Sequence, residues 1–460
     1  MRSFWGAGIA GFAHEWELYG ENVLIDLQET LEEGRDVEAL RPEAERIAKM
    51  PRGPEKEEAA DVLFYQLREA PMREDYPYEE PSDLPSILKA RPKDQPHLEK
   101  PAADAVLEDK LLGAWRGRVC GCLLGKPIEG MYQEQILRIA RAEDNEPIRT
   151  YLGGDPEALR KAGIDEGSIR RLAVCYRPGS MPADDDTNYT VMACKEILGR
   201  FGSGFTPEDV AKVWLYSQPV TAYCTAERAA VKNFVDAIAP PDSAVYKNPF
   251  REWIGAQIRG DYFGYIHPGD PASAAEMAFR DASISHVKNG IYGEMLFAAA
   301  IAAAAVLEDP EEILLAGLSQ IPEKSRLYKD VLQVIAWYRE GLSAGEVMER
   351  IRSIWNEKDP HHWCHTDSNA MIVAACFLYG GLDYTRTVGI AVSFGFDTDC
   401  NAATVGSLVG MVRGSRAIDE TWTSAVADTV QTALLGWNTV RIPDLVQDTI
   451  ETIKKLESGQ

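Results

Sequence analysis

Apolar residues recur at helical spacing through most of the chain and seldom alternate as they would in strands. Leu24, Leu27 and Leu31 repeat at helical intervals within Glu21–Glu33, and a second such pattern runs from Glu55 to Ala70, so residues 1 to about 70 predict acidic amphipathic helices whose polar faces carry most of the charge. Seven prolines then fall between Pro71 and Pro101, removing backbone donors and biasing preceding residues away from helix; this stretch predicts a linker or a surface-hugging arm. From about Ala103 the helical pattern resumes: Val106–Leu124, Tyr189–Phe201, Ala226–Ile238, Ala272–Phe279, Ile291–Leu307, Tyr328–Glu340, Ala344–Trp355, Ala370–Tyr379, Asn401–Val412 and Trp422–Leu435. Seven alanines follow Phe297, and Gly406 with Gly410 forms a Gly-x-x-x-Gly face, so helices can approach closely here. The expectation is an all-α fold: a compact helical domain over residues 103–460 after an N-terminal extension over residues 1–102.

Composition narrows the partners. The 460 residues are 45% hydrophobic and 26% charged, with 48 basic against 72 acidic side chains and a formal charge of −24. That balance argues against nucleic acid, whose binding needs clustered Lys and Arg, and against an anionic membrane surface. No apolar stretch reaches the roughly 18 residues needed to span a bilayer. The opening Met1–Ala13 has a basic residue and a short apolar stretch, but glycines interrupt it and no clear cleavage site follows, so a signal peptide is not expected. Eight cysteines without a Cys-x-x-Cys pair or framework spacing predict a reducing, cytoplasmic setting.

Three segments can carry chemistry. In Met181–Val191 the consecutive carboxylates Asp184, Asp185 and Asp186 precede a helical pattern; helix capping accounts for one of them, and three in series repel unless a cation or solvent intervenes. In Phe394–Gly406, Asp397 and Asp399 flank Thr398 ahead of a helix of small residues, which can pack deeply and carry its acidic N-terminus inward. A buried carboxylate pair is tolerable chiefly beside a cation, and hard oxygen donors favour Mg²⁺ or Mn²⁺ over Zn²⁺. In Leu112–Gly130, Gly113, Gly117, Gly121 and Gly125 lie along one helix face, which predicts close helix packing, and Glu129 stands just past the helix that Pro127 must end or kink. Taken singly, a solvated acidic turn or a capping box also explains the first two segments.

Together, in this order, the three segments resemble the ADP-ribosylglycohydrolases, the group that includes dinitrogenase reductase-activating glycohydrolase and the crystallin J1 proteins. The resemblance covers roughly residues 106–440, and Ala282–Gly290 and His365–Ala370 agree with it. It implies an all-α fold holding two divalent cations, Mg²⁺ or Mn²⁺, beside a groove for ADP-ribose. Carried onto this chain, the metal ligands are Asp184, Asp185, Asp186, Asp397, Asp399 and Cys400, with Asp184 standing for the usual Thr and Cys400 for a second Thr. A neutral thiol is a poor ligand for magnesium, so the second ion is expected to be weaker, differently bound or absent. Glu129, Asp186 and Asp397 are the implied catalytic groups, with Glu129 as general base or proton shuttle. Ser285, His286 and Asn369 are implied to line the groove, and Arg259, in Trp253–Asp261, is the nearest candidate for the diphosphate. The usual Gly-Asp pair of the first helix is Gly121-Cys122 here.

The implied activity is metal-dependent hydrolysis of a ribosyl C1″ bond in an ADP-ribosylated protein or a small ADP-ribosyl or ribosyl compound. Three rivals stand beside it. His361 and His365, four residues apart, permit a zinc reading, although no second Cys or His pair with finger-like spacing exists. A His-Asp phosphohydrolase would need a His followed by Asp, and none of the seven histidines is. A crystallin J1-like protein would keep the fold without turnover; Glu129, Asp185, Asp186, Asp397 and Asp399 argue against it.

Overall fold

The computed structural model describes residues 17–102, 104–175 and 179–458; the opening segment read above for a signal peptide lies outside the described residues. The fold is all-α. Apart from isolated bridges, the ladder found among the described residues is one antiparallel pair, β1 (Thr429–Gln431) and β2 (Thr439–Arg441), with Val430 opposite Val440. The elements used below, in chain order, are α1 (Val23–Glu32), α2 (Arg41–Ala48), α3 (Pro54–Glu69), α4 (Leu84–Ala90), α5 (Ala105–Gly125), α6 (Asp185–Met192), α7 (Lys288–Ala304), α8 (Thr366–Gly380) and α9 (Thr398–Arg413). No helix among the described residues is long and apolar enough to cross a membrane.

Helices α1 to α3 share a small core of their own, in which Val23, Leu27, Ile47, Leu63 and Leu67 are fully buried. Helical spacing reads a polar face as the outer one, and α1 departs from that rule. Its Leu24 is exposed, whereas Asp26, Glu29 and Thr30 are buried. The reason is a set of cations contributed by later sequence. Arg251 ion-pairs with Asp26 and Glu33, each at 2.5 Å, and donates to the Thr30 hydroxyl at 3.1 Å. Arg326 lies 3.7 Å from Glu32 and 3.0 Å from Glu80. A planar guanidinium can satisfy several buried acceptors at once, which makes burial of these carboxylates tolerable.

The proline-rich stretch hugs the surface. The Tyr292 hydroxyl donates to the Pro81 carbonyl, Glu79 N–H donates to the Lys324 carbonyl at 3.2 Å, and Gln320 donates to Gln95 at 2.6 Å. It also forms α4, which Asp83 caps by accepting from Ser86 N–H and which places Pro85 in the first turn, where a missing N–H costs nothing.

At the centre, α5 and α9 run antiparallel with their backbones touching. Gly113 faces Gly410, Gly117 faces Gly406, Gly121 faces Ala402, and Gly125 faces Thr398 and Asp399. A Cβ at these four glycines would stand 2.4, 2.1, 2.1 and 2.3 Å from backbone atoms of α9. Any side chain there would drive the helices apart, so the four-residue glycine period of α5 and the small residues of α9 form one seam. The Tyr384 hydroxyl donates to the Gly117 carbonyl at 2.9 Å and the Thr398 hydroxyl to the Gly125 carbonyl at 3.0 Å, fixing the register. The alanine run of α7 serves the same end, since Gly264 and Gly317 approach the carbonyls of Ala298 and Leu296.

Two predicted helices have different limits. The segment Trp422–Leu435 leaves the helix at Val426, because Ala427 and Asp428 turn left-handed at φ 49° and 51°, and the chain continues into the β1–β2 hairpin. The helix predicted from Tyr189 starts earlier, at Asp185, and widens into a π turn over Ala193–Leu198. Helices at Gln133–Ala142, Pro207–Ser217, Tyr384–Phe394 and Ile442–Ser458 fall between or beyond the predicted ones.

Gly117→Ala is expected to destabilise the protein by about 3 kcal/mol, because the new methyl group meets the Gly406 carbonyl and α9 cannot yield without moving its whole acidic end. Gly204→Ala, with open space around it, is the matched control and should change stability by less than about 0.5 kcal/mol. Urea unfolding of the two variants measures the difference.

Candidate functional site

The seam ends where α5 finishes and α9 begins, and the acidic residues gather there. On one side Cys122 and Gly125 belong to the last turn of α5, and Lys126, Pro127 and Ile128 form a 3₁₀ turn that delivers Glu129. On the other, Gly395 and Phe396 turn left-handed at φ 77° and 56°, and the chain swings so that Asp397 and Asp399 start α9 facing the end of α5. Phe396 has a side chain in a backbone region that costs about 1 kcal/mol or more. It is held there by complete burial. Asp184 caps α6 by accepting the Asp186 N–H at 2.9 Å, and α6 brings Asp185 and Asp186 to the same place.

Ligand-type atoms of Cys122, Asp184, Asp186 and Asp399 lie within 4.8 Å of one another, as do those of Asp397, Asp399 and Cys400. Asp184, Asp186, Asp397 and Asp399 are buried, Asp185 is partly buried, and Glu129 sits at the solvent-facing lip. One oxygen of Asp186, Oδ2, is buried with no hydrogen-bond partner. Its other oxygen receives Arg118 at 3.2 Å, and Arg118, itself fully buried, also pairs with Asp261 at 2.9 Å. Lys126 donates to Asp184.

The crowding of like charges appears in the proton affinities. Burial, then the Asp399 and Glu129 charges, hold the Asp397 carboxyl well above the usual range. Asp186 is raised by burial, against the pull of Arg118. Burial and the neighbouring Asp184 charge push Asp185 to about 8 and Asp399 to about 6. Glu129 is raised first by the Asp399 charge, then by loss of water around it. The Cys122 and Cys400 thiols are raised by burial and by the surrounding carboxylates, so both are neutral in the cluster.

These buried acidic clusters can hold a metal ion. An orphaned carboxylate oxygen inside a group of converging carboxylates fits a hard divalent cation. The neutral thiols of Cys122 and Cys400 do not fit Mg²⁺.

Comparison with known proteins gives a family. The family model described as ADP-ribosylglycohydrolase matches residues 103–455. The chain belongs to the ADP-ribosylglycohydrolase family. A solved structure described as "ADP-ribosylglycohydrolase-related protein complex" is 18% identical, with 76% of this chain and 98% of that chain covered and a TM-score of 0.43. Comparison with curated proteins gives no match. The family acts on ADP-ribosylated substrates and is generally metal-dependent.

The remaining residues implied by the ADP-ribosylglycohydrolase resemblance lie deeper than a groove lining. Asn369, in the first turn of α8, accepts from Asp397 N–H at 3.3 Å and from the Asn401 amide at 2.8 Å, while donating to the His365 carbonyl at 2.9 Å. It braces the turn that carries Asp397. Arg259 is buried and fully engaged: it pairs with Asp281, with Glu227 at 2.8 Å, and with the Ser285 hydroxyl at 3.2 Å. Ser285 in turn meets His286 Nδ1 at 2.8 Å, and burial together with Arg259 holds His286 neutral. Diphosphate recognition by Arg259 would require these contacts to open.

The zinc reading of His361 and His365 meets a tautomer argument. The two side chains do converge with Glu29. Each imidazole, however, already spends its Nδ1 lone pair on an N–H donor: Trp253 Nε1 on His361 and Asp367 backbone N–H on His365, both at 3.1 Å. A neutral ring then carries its hydrogen on Nε2, where a ligand would need a lone pair. The His361 Nε2 meets Glu32 of α1 at 3.0 Å as a donor to its carboxylate, while the buried His365 Nε2, 3.6 Å from the same residue, makes no hydrogen bond.

Sequence reasoning passed over Arg118, Lys126, Asp261, Glu227 and Cys364. The Cys364 thiol lies 3.8 Å from Asp397 Oδ2. None of the five stands in a run of similar residues.

The raised carboxyls fix how stability responds to pH. Without a cation, native Asp399 and Asp185 keep protons that the unfolded chain releases near pH 4, so stability falls as pH rises from there through about 6 and 8. The slope is about 1.4 kcal/mol per pH unit for each proton so retained. Thermal unfolding in EDTA is expected to show a decline in Tm between pH 5 and 8 that millimolar Mn²⁺ largely removes, since a bound cation favours the ionised forms. A Tm that rises over that range in EDTA contradicts the assignment.

Proposed function

We propose that the chain is a divalent-metal-dependent hydrolase that cleaves the ribosyl C1″ bond of an ADP-ribosylated protein or a related small ADP-ribosyl or ribosyl compound. Residues 103–460 form its catalytic unit, and residues 1–102 are its N-terminal extension. The observation that carries the reading is the convergence of Asp184, Asp186, Asp397 and Asp399 from separate helices on one buried junction, with Asp185 partly buried beside them and Glu129 at the outer edge. We assign Asp185, Asp186, Asp397 and Asp399 to holding Mg²⁺ or Mn²⁺. When bound, such a cation supplies positive charge that orients ribose hydroxyls and makes water easier to deprotonate.

The chain's own residues supply the rest. In hydrolysis the water oxygen bonds to C1″, the bond from C1″ to the acceptor nitrogen or oxygen breaks, and its electron pair leaves with the acceptor, which gains a proton. Glu129, at the outer edge of the cluster, takes the proton from water as that bond forms. A proton that it accepts from water can be passed on to the departing group. Asn369 and Arg118 keep Asp397 and Asp186 aimed at the junction, which maintains the geometry that proximity catalysis needs. The described cysteines are free thiols, in keeping with the cytoplasmic setting proposed from the sequence.

Release of free ADP-ribose from defined ADP-ribosylated arginine, serine, nucleotide and small-molecule substrates, with Mn²⁺ and with EDTA, tests the reading. Activity is expected with the metal only, and Asp397→Asn is expected to lower kcat by about 100-fold or more, Glu129→Gln by a similar factor. Turnover in EDTA, or an unimpaired Asp397→Asn, excludes the mechanism. No turnover on any substrate favours the non-enzymatic, crystallin J1-like role.

A further inference from the structure

Within the metal-dependent reading above, we infer that the Lys126 ammonium is a resident cation of the acidic cluster, so that the site holds one divalent ion tightly where the family resemblance implies two. The geometry begins with the seam. Gly125 abuts the backbone of Thr398 and Asp399, so residue 126 must leave the helix beside the start of α9, and its side chain has the cluster within reach. Lys126 donates to Asp184 Oδ2, and Asp399 adds a second carboxylate near it. The other oxygen of Asp184, Oδ1, accepts the Asp186 N–H at 2.9 Å. Both Asp184 oxygens therefore have partners of their own, one a cation and one a helix cap.

The carboxylate at 184 and the ammonium at 126 thereby account for each other. The chain carries an Asp at 184, where the resemblance implies a neutral Thr, and it carries the charge that offsets it at Lys126. The added negative and positive charges cancel, and the ammonium occupies the side of Asp184 that a second ion would need. The donors available to a second ion are weakened again at Cys122 and Cys400, whose buried thiols each stand within a possible ligand group. What remains is Asp186, with its unpartnered Oδ2, together with Asp185, Asp397 and Asp399. That set suffices for one hard cation that completes its coordination with water.

Metal content separates this inference from the reading on which it rests. The full-length protein is equilibrated with Mn²⁺, freed of excess by gel filtration, and examined by native mass spectrometry and by electron paramagnetic resonance. The wild type should carry one Mn²⁺ with the six-line spectrum of an isolated ion. Lys126→Met, and independently the double variant Lys126→Ala/Asp184→Thr, which removes both charges together, should carry two and show the multiline spectrum of a coupled pair, while Lys126→Arg stays at one. Two ions on the wild type, or one ion on both uncharged variants, overturns the inference and leaves metal-dependent hydrolysis standing. No ion on the wild type overturns both.

Discussion

Backbone contact between α5 and α9 is the constraint on which the site depends. Two helices joined by large side chains can slide or tilt by fractions of a turn as those side chains repack. Two helices touching through glycine carbonyls have little such freedom, because moving along the seam brings Cα and carbonyl atoms into collision. The end of α5 and the start of α9 therefore keep a fixed separation, and Cys122, Lys126 and Glu129 on one side are held against Asp397 and Asp399 on the other. Rigidity of this kind is what a site built from repelling carboxylates needs. Without it, the helices would part to relieve the repulsion.

The second requirement is compensation of buried charge, and the molecule meets it repeatedly with side chains from distant sequence. Arg118 links Asp186 to Asp261, Arg259 links Asp281 to Glu227, Arg251 takes Asp26 and Glu33, and Arg326 takes Glu80 and Glu252. Each guanidinium is largely or wholly removed from water, and each answers more than one carboxylate. At the α5–α9 junction protein cations do not go far enough: Lys126 and Arg118 face Glu129, Asp184, Asp185, Asp186, Asp397 and Asp399. Carboxylates outnumber cations there by more than in the pairings just named.

What was legible beforehand followed from regular spacing or from adjacency. The all-α fold, most helix positions, the glycine face of α5 and the Gly406–Gly410 face of α9 all express a period, and a period survives in one dimension. Asp184–Asp186 and Asp397–Asp399 were conspicuous because carboxylates side by side need a reason. Lys126 and Arg118 were not, since a single cation in a helix has dozens of ordinary explanations until its partner is known. The same limit applied to Arg259, taken for a phosphate ligand from a loose local match, whereas its guanidinium is enclosed by Asp281, Glu227 and Ser285. It applied to α1 as well, whose acidic face turns inward toward cations more than two hundred residues away. Pairing across long sequence separation is decided in three dimensions, and amphipathic periodicity carries no record of it.

That inward face of α1 bears on how such an extension is gained or lost over evolutionary time. Asp26 and Glu33, as deeply placed as they are, cannot be left without Arg251. Loss of the leading segment would return Arg251 to water, where it needs no partner, whereas loss of the arginine with the segment in place would strand Asp26 and Glu33 in the interior. The dependence is therefore one-sided: the acidic face of α1 fixes the need for a cation at 251, while that cation sets no such demand on α1.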